Sequence, residues 1–238
     1  GIIKPVENVQ NCYVSNIFTR PKSDGNLRII LDLSKLNENI VYRHFKMDSL
    51  QSAIDLMFKD CFFGSIDWKE AYYCCNIANE FRDFLTFQWR EQFYHYTCYP
   101  NGMASAPRCF CKLTKVLFSE LRKLGHLNTS YIDDCLLIAG SVAEFRQNIF
   151  DTVQISQNAG FYVHPDKSVL EPTQEIIYLG FWLRSNEMSV QLTEQKALNL
   201  KNGCQKLLNE KVTIRYLAKV IGQMVASFPG VKYGQLFL

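Results

Sequence analysis

The chain has no apolar run approaching the length of a membrane span, and no signal peptide opens it. Neither a bilayer-spanning helix nor a secretory leader is therefore expected. It also lacks any C-x-x-C, although it carries nine cysteines. Zinc sites draw thiolates from closely spaced pairs, so no zinc site is expected. An odd number of cysteines, set mostly in apolar segments, reads as small buried thiols in the reducing cytoplasm or nucleus. No internal repeat and no low-complexity linker is visible. An initial methionine is missing too. The chain opens on GIIKP and closes on the apolar GQLFL, as expected of a piece of a longer protein.

What is present supports a folded core. The 238 residues are 47% hydrophobic and include 17 Phe and 12 Tyr. That is enough apolar surface for one large domain or two small ones, and it argues against disorder. The net charge of +3 is unevenly spread. From residue 190 to 238 there are seven Lys/Arg against two acids, a local +5 that leaves the remainder at −2. Such a basic segment points either to a polyanion contact or to a solvated helix face.

Periodicity outlines the elements. NLRIILDLSKLN reads as a strand and a turn. MDSLQSAIDLMF places Leu50, Ala53, Ile54 and Met57 on one helical face, with Asp48 or Ser49 as cap. CFFGSIDW is a short apolar strand ending in an acid, and DFLTFQW and FYHYTCY flank Arg90, Glu91 and Gln92 as a hairpin. APRCFCKLTKVLFSELRKLG is helical, with Phe110, Leu113, Leu117, Leu121 and Leu124 in phase and Gly125 as stop. TSYIDDCLLIAG reads as strand, turn, strand. Ser141 and Glu144 then start a helix carrying Phe145, Ile149 and Val153, which stops at Gly160. EIIYLGFWL reads as one further strand. With the hairpin set aside, the order is βαββαβ, the split pattern of ferredoxin-like sheets. Two helices follow, one from Thr193 with Ala197, Leu200, Cys204, Leu207 and Leu208 in phase. The other runs from Thr213, with Leu217, Val220, Ile221, Met224, Val225 and Phe228 in phase.

Three acids carry the chemistry. Asp67 ends one apolar strand, and the pair Asp133–Asp134 interrupts another. Burying a carboxylate costs several kcal/mol unless it is paired or bound to metal. In a ferredoxin-like sheet the two strands lie side by side, bringing Asp67 next to Asp133. Convergent carboxylates hold hard divalent cations, and two ions roughly 3.5–4 Å apart suit in-line phosphoryl displacement. The alternative is three acids exposed at strand ends.

SIDWKEAYY, YPNGMASAPRCF, YIDD, HPDKS and YLGFWL occur in this order, and with them the chain resembles a reverse transcriptase of retroviral and retrotransposon type. The resemblance runs from about Phe18 to Leu183. Within the family, SIDWKEAYY and VIGQMVASFPGVKYG look most like the tyrosine-recombinase (DIRS-like) elements, with gypsy-like elements next. It implies an α+β right-hand polymerase with a ferredoxin-like palm, β-rich fingers and the start of a helical thumb. Fingers and the fingers–palm connection would occupy 1–60, palm 61–77, a fingers hairpin 78–100, palm with the YIDD hairpin and primer grip 101–188, and thumb 189–238.

The resemblance also implies roles. Asp67 and Asp133 match metal-binding aspartates, with Asp134 the third, more peripheral acid. Trp68 would lend its backbone carbonyl to a metal and its amide to the triphosphate. Lys22 and Arg28 of RPKSDGNLR match residues that grip the triphosphate. Tyr72 would lie under the incoming sugar, where an aromatic ring excludes a 2′-OH. Asn101 stands where many relatives have Gln, so its shorter amide reaches less far towards the nucleotide. Lys167 resembles a lysine that protonates departing pyrophosphate. Gly180, Phe181 and Trp182 match the primer grip, and Ile132 precedes the acids where relatives hold a positive φ. Lys201, Lys206, Lys211, Arg215 and Lys219 would meet duplex phosphates from the thumb. The implied cofactor is a pair of Mg²⁺ ions, for which Mn²⁺ can substitute. The implied partners are dNTPs and an RNA or DNA template with its annealed primer, with no membrane and with an RNase H domain following.

Taken singly, each residue has a structural alternative. Tyr72, Tyr73 and Phe87 fit a plain aromatic core, Arg28 a surface site beside Asp32, and Lys167 a solvated turn. Group II intron and telomerase enzymes are a second lineage with the same chemistry, although they usually carry insertions between these motifs. An inactive polymerase-like scaffold that binds RNA is the rival of a different class, but it would be expected to lose the acids.

Overall fold

A computed structural model describes residues 1–21, 25 and 27–231. Its strands and helices, in chain order, begin with β1 (Ile3–Val6), β2 (Val14–Ser15), β3 (Ile17–Pro21), β4 (Leu27–Leu31), α1 (Ser34–Glu38), α2 (Leu50–Leu56) and β5 (Phe62–Asp67). Then follow β6 (Thr86–Trp89), β7 (Gln92–Tyr96), α3 (Ala106–Lys123), β8 (Leu127–Tyr131), β9 (Asp134–Ala139) and α4 (Val142–Asn158). The last are β10 (Val169–Thr173), β11 (Glu175–Tyr178), β12 (Phe181–Arg184), β13 (Ser189–Leu192), α5 (Glu194–Asn209) and α6 (Ile214–Ser227). No helix among the described residues is long and apolar enough to cross a membrane.

The chain forms two compact units. The first comprises Gly1–Met47, Trp68–Glu120 and Gln154–Val163. It holds a sheet of order β1-β7-β6-β2 and the separate β3-β4 hairpin. Its core gathers Leu31, Leu33, Ile77, Leu85, Phe87, Tyr96 and Cys98. The β6–β7 hairpin closes on Arg90–Glu91 alone. Trp89 pairs with Gln92, so Gln92 belongs to the strand and not to the turn. Arg90 takes the positive φ that so tight a reversal needs.

The second unit comprises Asp48–Asp67, Leu121–Val153 and His164–Leu238. Its main sheet has the order β10-β5-β9-β8, with β5 antiparallel to both neighbours. Taken as βαββαβ, this is strand order 4-1-3-2, the ferredoxin-like arrangement the pattern predicts. The fourth strand, however, is Val169–Thr173 and not EIIYLGFWL. That segment is a hairpin, β11 and β12, joined through Leu179 and Gly180. Both have positive φ, 48° and 78°, as a type I′ turn requires. An unbroken apolar run hid the turn, because only Gly180 marks it. β13 completes this smaller sheet.

Burial explains the elements and shifts several faces. Leu50, Ala53 and Met57 pack with Phe63, Leu136, Ile138, Tyr178, Phe181 and Leu183 in the second core. Each fully buried side chain of this size contributes about 2 kcal/mol. In α3 the buried stripe is Phe110, Thr114, Phe118 and Leu121, while Leu113 and Leu124 are 48% and 60% exposed. The leucines mark the neighbouring stripe, and a threonine inside the true one disguised it. In α4 the stripe is Phe145, Asn148, Thr152 and Ser156 rather than Phe145, Ile149 and Val153. Polar residues are tolerated there because Asn148 donates to the Leu127 and Ile138 carbonyls. Ser141 Oγ accepts from Glu144 N–H, but Glu144 reaches back to Gly140 N–H rather than to Ser141.

Helices α5 and α6 start after Thr193 and Thr213, and Thr213 Oγ1 accepts from Tyr216 N–H. They cross at Gly203, where a Cβ would stand 3.3 Å from Val220 Cγ2. Val220 is buried, but Leu208 is 85% exposed and Leu217, Ile221 and Val225 are exposed as well. The two faces in phase are thus only partly covered.

Candidate active site

The site is assembled on the central strands of the second unit. β5 pairs with β9 so that Asp67 stands opposite Asp134, and β8 pairs with β9 so that Tyr131 does too. Asp133 lies in the turn between them. Asp67 thus has Asp134, and not Asp133, as its backbone partner. Ile132, the other turn residue, has φ 57°. That is the positive value expected there, and it is costly for a β-branched side chain.

Electrostatic repulsion couples the three acids. Burial pushes the Asp67 pKa up, Lys167 pulls it down, Asp133 raises it and His164 lowers it. Burial, then Asp133, then Asp67 all push Asp134 up. Cys135, one residue further, is a buried thiol held well above its usual range by desolvation and by the same acids. Negative charge therefore accumulates at one sheet end. Among the described residues, no three His, Cys, Asp or Glu side chains already stand in metal-ligand geometry. The donor set nevertheless fits a hard cation, because it is all oxygen and Asp133 lies close enough to raise the pKa of both Asp67 and Asp134.

The backbone of Asp67 is strapped on both sides by the HPDKS segment. His164 N–H donates to the Asp67 carbonyl at 2.8 Å, and Asp67 N–H donates to Ser168 Oγ at 3.0 Å. Lys167 lies between these two anchors. Asp48 supports the other hairpin, accepting from Thr129 Oγ1 and Ser130 N–H, with Arg122 3.6 Å away. The Tyr178 hydroxyl donates to the Asp134 carbonyl at 3.3 Å. The sequence offered Asp48 only as a helix cap, and Ser168 and Tyr178 only as members of HPDKS and YLGFWL. Their support of the acids was not legible, because each acts through a partner at least 44 residues away.

The remaining candidates fall in both units. Trp68 belongs to the first unit and is buried. Its indole N–H donates to Ser156 Oγ at 3.1 Å, and its ring stacks on Phe161 at 4.8 Å. Trp68 pairs with Val163 in a bridge that uses Lys69 N–H to Tyr162 and His164 N–H to Asp67. The bridge leaves Trp68's own amide and carbonyl uncommitted to it. Tyr72 lies on a short 3-10 turn, its ring 5.1 Å from Phe110. Asn101 donates to the Tyr73 hydroxyl at 3.0 Å. Asn37 clamps the loop behind Asn101, donating to the Gly102 carbonyl and accepting from Ala104 N–H, both at 2.9 Å. Arg28 is exposed on β4, cross-strand from Arg20. Lys22 lies outside the described residues.

In the second unit, Phe181 is buried and Trp182 half-buried, with the Arg184 guanidinium 5.3 Å from the Trp182 ring. Lys201 and Arg215 are exposed on α5 and α6. Lys206 pairs with Glu210 at 3.5 Å and lies 5.3 Å over Tyr216.

Comparison with known proteins identifies the fold and the family. The transposon Tf2-3 polyprotein of Schizosaccharomyces pombe is 23% identical over 181 residues, covering 76% of this chain and 13% of the polyprotein. The Pol polyprotein from transposon gypsy of Drosophila melanogaster is 24% identical over 185 residues, covering 76% of this chain and 18% of its own length. The chain thus spans less than a fifth of these curated relatives. Among solved structures, a foamy viral protease-reverse transcriptase in complex with dsDNA superposes with TM-score 0.78 at 20% identity, over 95% of this chain and 44% of that one. The same type of protein with an RNA/DNA hybrid gives 0.71 at 20% identity, over 94% and 28%. These likenesses establish the right-hand polymerase fold. A family model described as reverse transcriptase (RNA-dependent DNA polymerase) matches residues 20–183. The chain belongs to that family, whose members use divalent metal ions.

Proposed function

We propose that this chain is the polymerase core of a retroelement, extending a primer 3′-OH with dNTPs on an RNA or DNA template. The observation that carries the reading is the meeting of Asp67, Asp133 and Asp134 at one sheet end, with Asp67 and Asp134 pushed up in pKa by burial and by neighbouring carboxylates. Two Mg²⁺ ions, or Mn²⁺ in their place, would polarise the hydroxyl and neutralise charge on the leaving phosphates. Asp67 and Asp133 would hold them, with the Trp68 carbonyl, and Asp134 would act from the edge. Arg28 and Lys22 would clamp the triphosphate, Arg28 through a bidentate fork. Tyr72 would exclude a ribose 2′-OH, and Asn101 would face the nucleotide. Lys167 would give a proton to pyrophosphate. Ile132, Gly180, Phe181 and Trp182 would position the primer end, with Phe181 acting through the hairpin it packs under. Lys201 and Arg215 would meet duplex phosphates. Catalysis then rests mainly on positioning and charge neutralisation.

Within the family we favour the tyrosine-recombinase (DIRS-like) lineage ahead of gypsy-like elements, on SIDWKEAYY and VIGQMVASFPGVKYG. Nine cysteines outside any disulfide favour a reducing compartment, cytoplasm or nucleus. An RNase H domain following in the whole protein fits this reading.

Primer extension with dNTPs and Mg²⁺ tests it. Asp133→Asn should abolish extension while duplex binding, measured by fluorescence anisotropy, stays within about twofold, because phosphate contacts supply most of that affinity. Extension by the variant at wild-type rate would remove the two-metal assignment. Duplex binding without extension by the wild-type chain would favour the RNA-binding scaffold instead.

A further inference from the structure

Three polar contacts surround the Leu179–Gly180 turn and belong to no strand ladder. From α5, Lys196 Nζ donates to the Leu179 carbonyl at 2.8 Å and sits 4.0 Å over the Phe181 ring. Thr193 Oγ1, at the start of the same helix, donates to the Gly180 carbonyl at 3.3 Å. From β11, the Tyr178 hydroxyl reaches the Asp134 carbonyl. The lysine stem lies so close that a Cβ on Gly180 would stand 2.8 Å from Lys196 Cε. A helix lysine normally keeps its ammonium in water. This one is half-buried, and burial lowers its pKa. Desolvating it costs energy that the Leu179 carbonyl and the Phe181 ring offset.

These contacts lie in series within one compact unit. Lys196 and Thr193 fix the turn to α5. Tyr178, the residue before the turn, fixes the same hairpin to the first residue of β9, which is one of the three acids. We infer that Tyr178 and Lys196 are positioning residues for nucleotide addition. Together they hold the grip hairpin and the Asp133–Asp134 hairpin at one spacing, so that a primer end resting on the grip meets the acids in line. The inference rests on the polymerase reading of the site. Neither side chain touches a reacting atom. A displacement of roughly 1 Å at a reacting centre can cost on the order of a hundredfold in rate, so a modest loosening is measurable.

The test compares the full chain with Tyr178→Phe, Lys196→Met and the double variant. Phenylalanine keeps the ring and removes the hydroxyl. Methionine keeps much of the stem against Gly180 and Phe181 and removes the donor. Single-nucleotide addition is timed on matched and 3′-mismatched primers, and amide hydrogen exchange is followed across Ile132–Cys135 without nucleic acid. Each single variant should lose about fivefold to tenfold in kcat, as expected for one lost hydrogen bond, with KM for dNTP within about twofold. The matched-to-mismatched ratio should fall, exchange around Asp134 should quicken, and the double variant should be scarcely worse than the weaker single one. Wild-type exchange and primer discrimination in both variants would overturn the inference, as would losses that multiply in the double variant. Lys196→Met alone carries the test if Tyr178→Phe folds poorly. Quickened exchange in a chain whose wild type extends no primer would sustain the strut and sink the polymerase reading. Normal extension by all variants would do the reverse.

Discussion

Asp134 faces Asp67 across the strand pair, and no described cation is among the causes of its raised pKa. A carboxyl whose pKa is higher in the folded than in the unfolded chain favours folding only while protonated. Its full contribution is present below the unfolded value, about 3.9, and is lost as pH rises through the folded value. At neutral pH the ionised group therefore weakens the metal-free protein. Asp134→Asn should raise stability at pH 7 by about 0.5 kcal/mol, the scale of an exposed like-charge cross-strand pair, or roughly 1–2 °C in Tm. The gain should fade as pH falls through the raised folded pKa of Asp134, where that carboxyl takes up its proton. Calorimetry across pH in chelator checks this, and equal Tm at pH 7 would show that the repulsion is screened out. The three acids were legible in the sequence because charge inside apolar runs needs a reason. The unequal support of each was not, since Ser168, Asp48 and Tyr178 become meaningful only once distant strands are paired.

At the scale of elements, β5 works because it is thin where α4 crosses it. A Cβ on Gly64 would meet Phe145 Cζ at 2.5 Å and the Val169 carbonyl oxygen at 2.7 Å, so neither the helix nor β10 has room to yield. Gly64→Ala should cost roughly 2 kcal/mol, about 4–8 °C in Tm, through overpacking beneath the strand that carries Asp67. Gly222, on α6, faces open space, with nothing within 4 Å of where a Cβ would stand. Gly222→Ala should instead stabilise by about 0.5–1 kcal/mol, as helix propensity dictates. Thermal melts of the two variants read the contrast, and a neutral Gly64→Ala would contradict the packing. Strands and helices were legible from periodicity, as β5, α2 and the β8–β9 hairpin show. Two features escaped it. A hairpin built entirely from strand-forming residues, EIIYLGFWL, has no polar turn to betray it. A buried stripe containing Asn148, Thr152 and Ser156 hides from any count of apolar positions, because Asn148 and Ser156 find their partners on other elements, at Leu127, Ile138 and Trp68.

The whole molecule carries only a small net positive charge, so its pull on a polyanion depends on where that charge lies. The C-terminal helices concentrate it, and in the structure Lys201, Lys211, Arg215 and Lys219 are all exposed. Lys206 is different, since Glu210 and the Tyr216 ring already engage it. A phosphate contact releases counterions, and each lowers the slope of log K against log salt by about 0.9 on duplex DNA. Replacing Lys201 and Arg215 with glutamine should therefore flatten that slope by up to about 1.8 and weaken binding alike on unrelated sequences. Lys206→Gln should change it less, because its ammonium is shared with Glu210 before any nucleic acid arrives. Anisotropy titrations of a primed duplex across a range of salt measure both. An unchanged slope in the Lys201 and Arg215 variants would move the duplex contact off these helices. The basic segment would then be a solvated helix face, the alternative that its charge left open from the start.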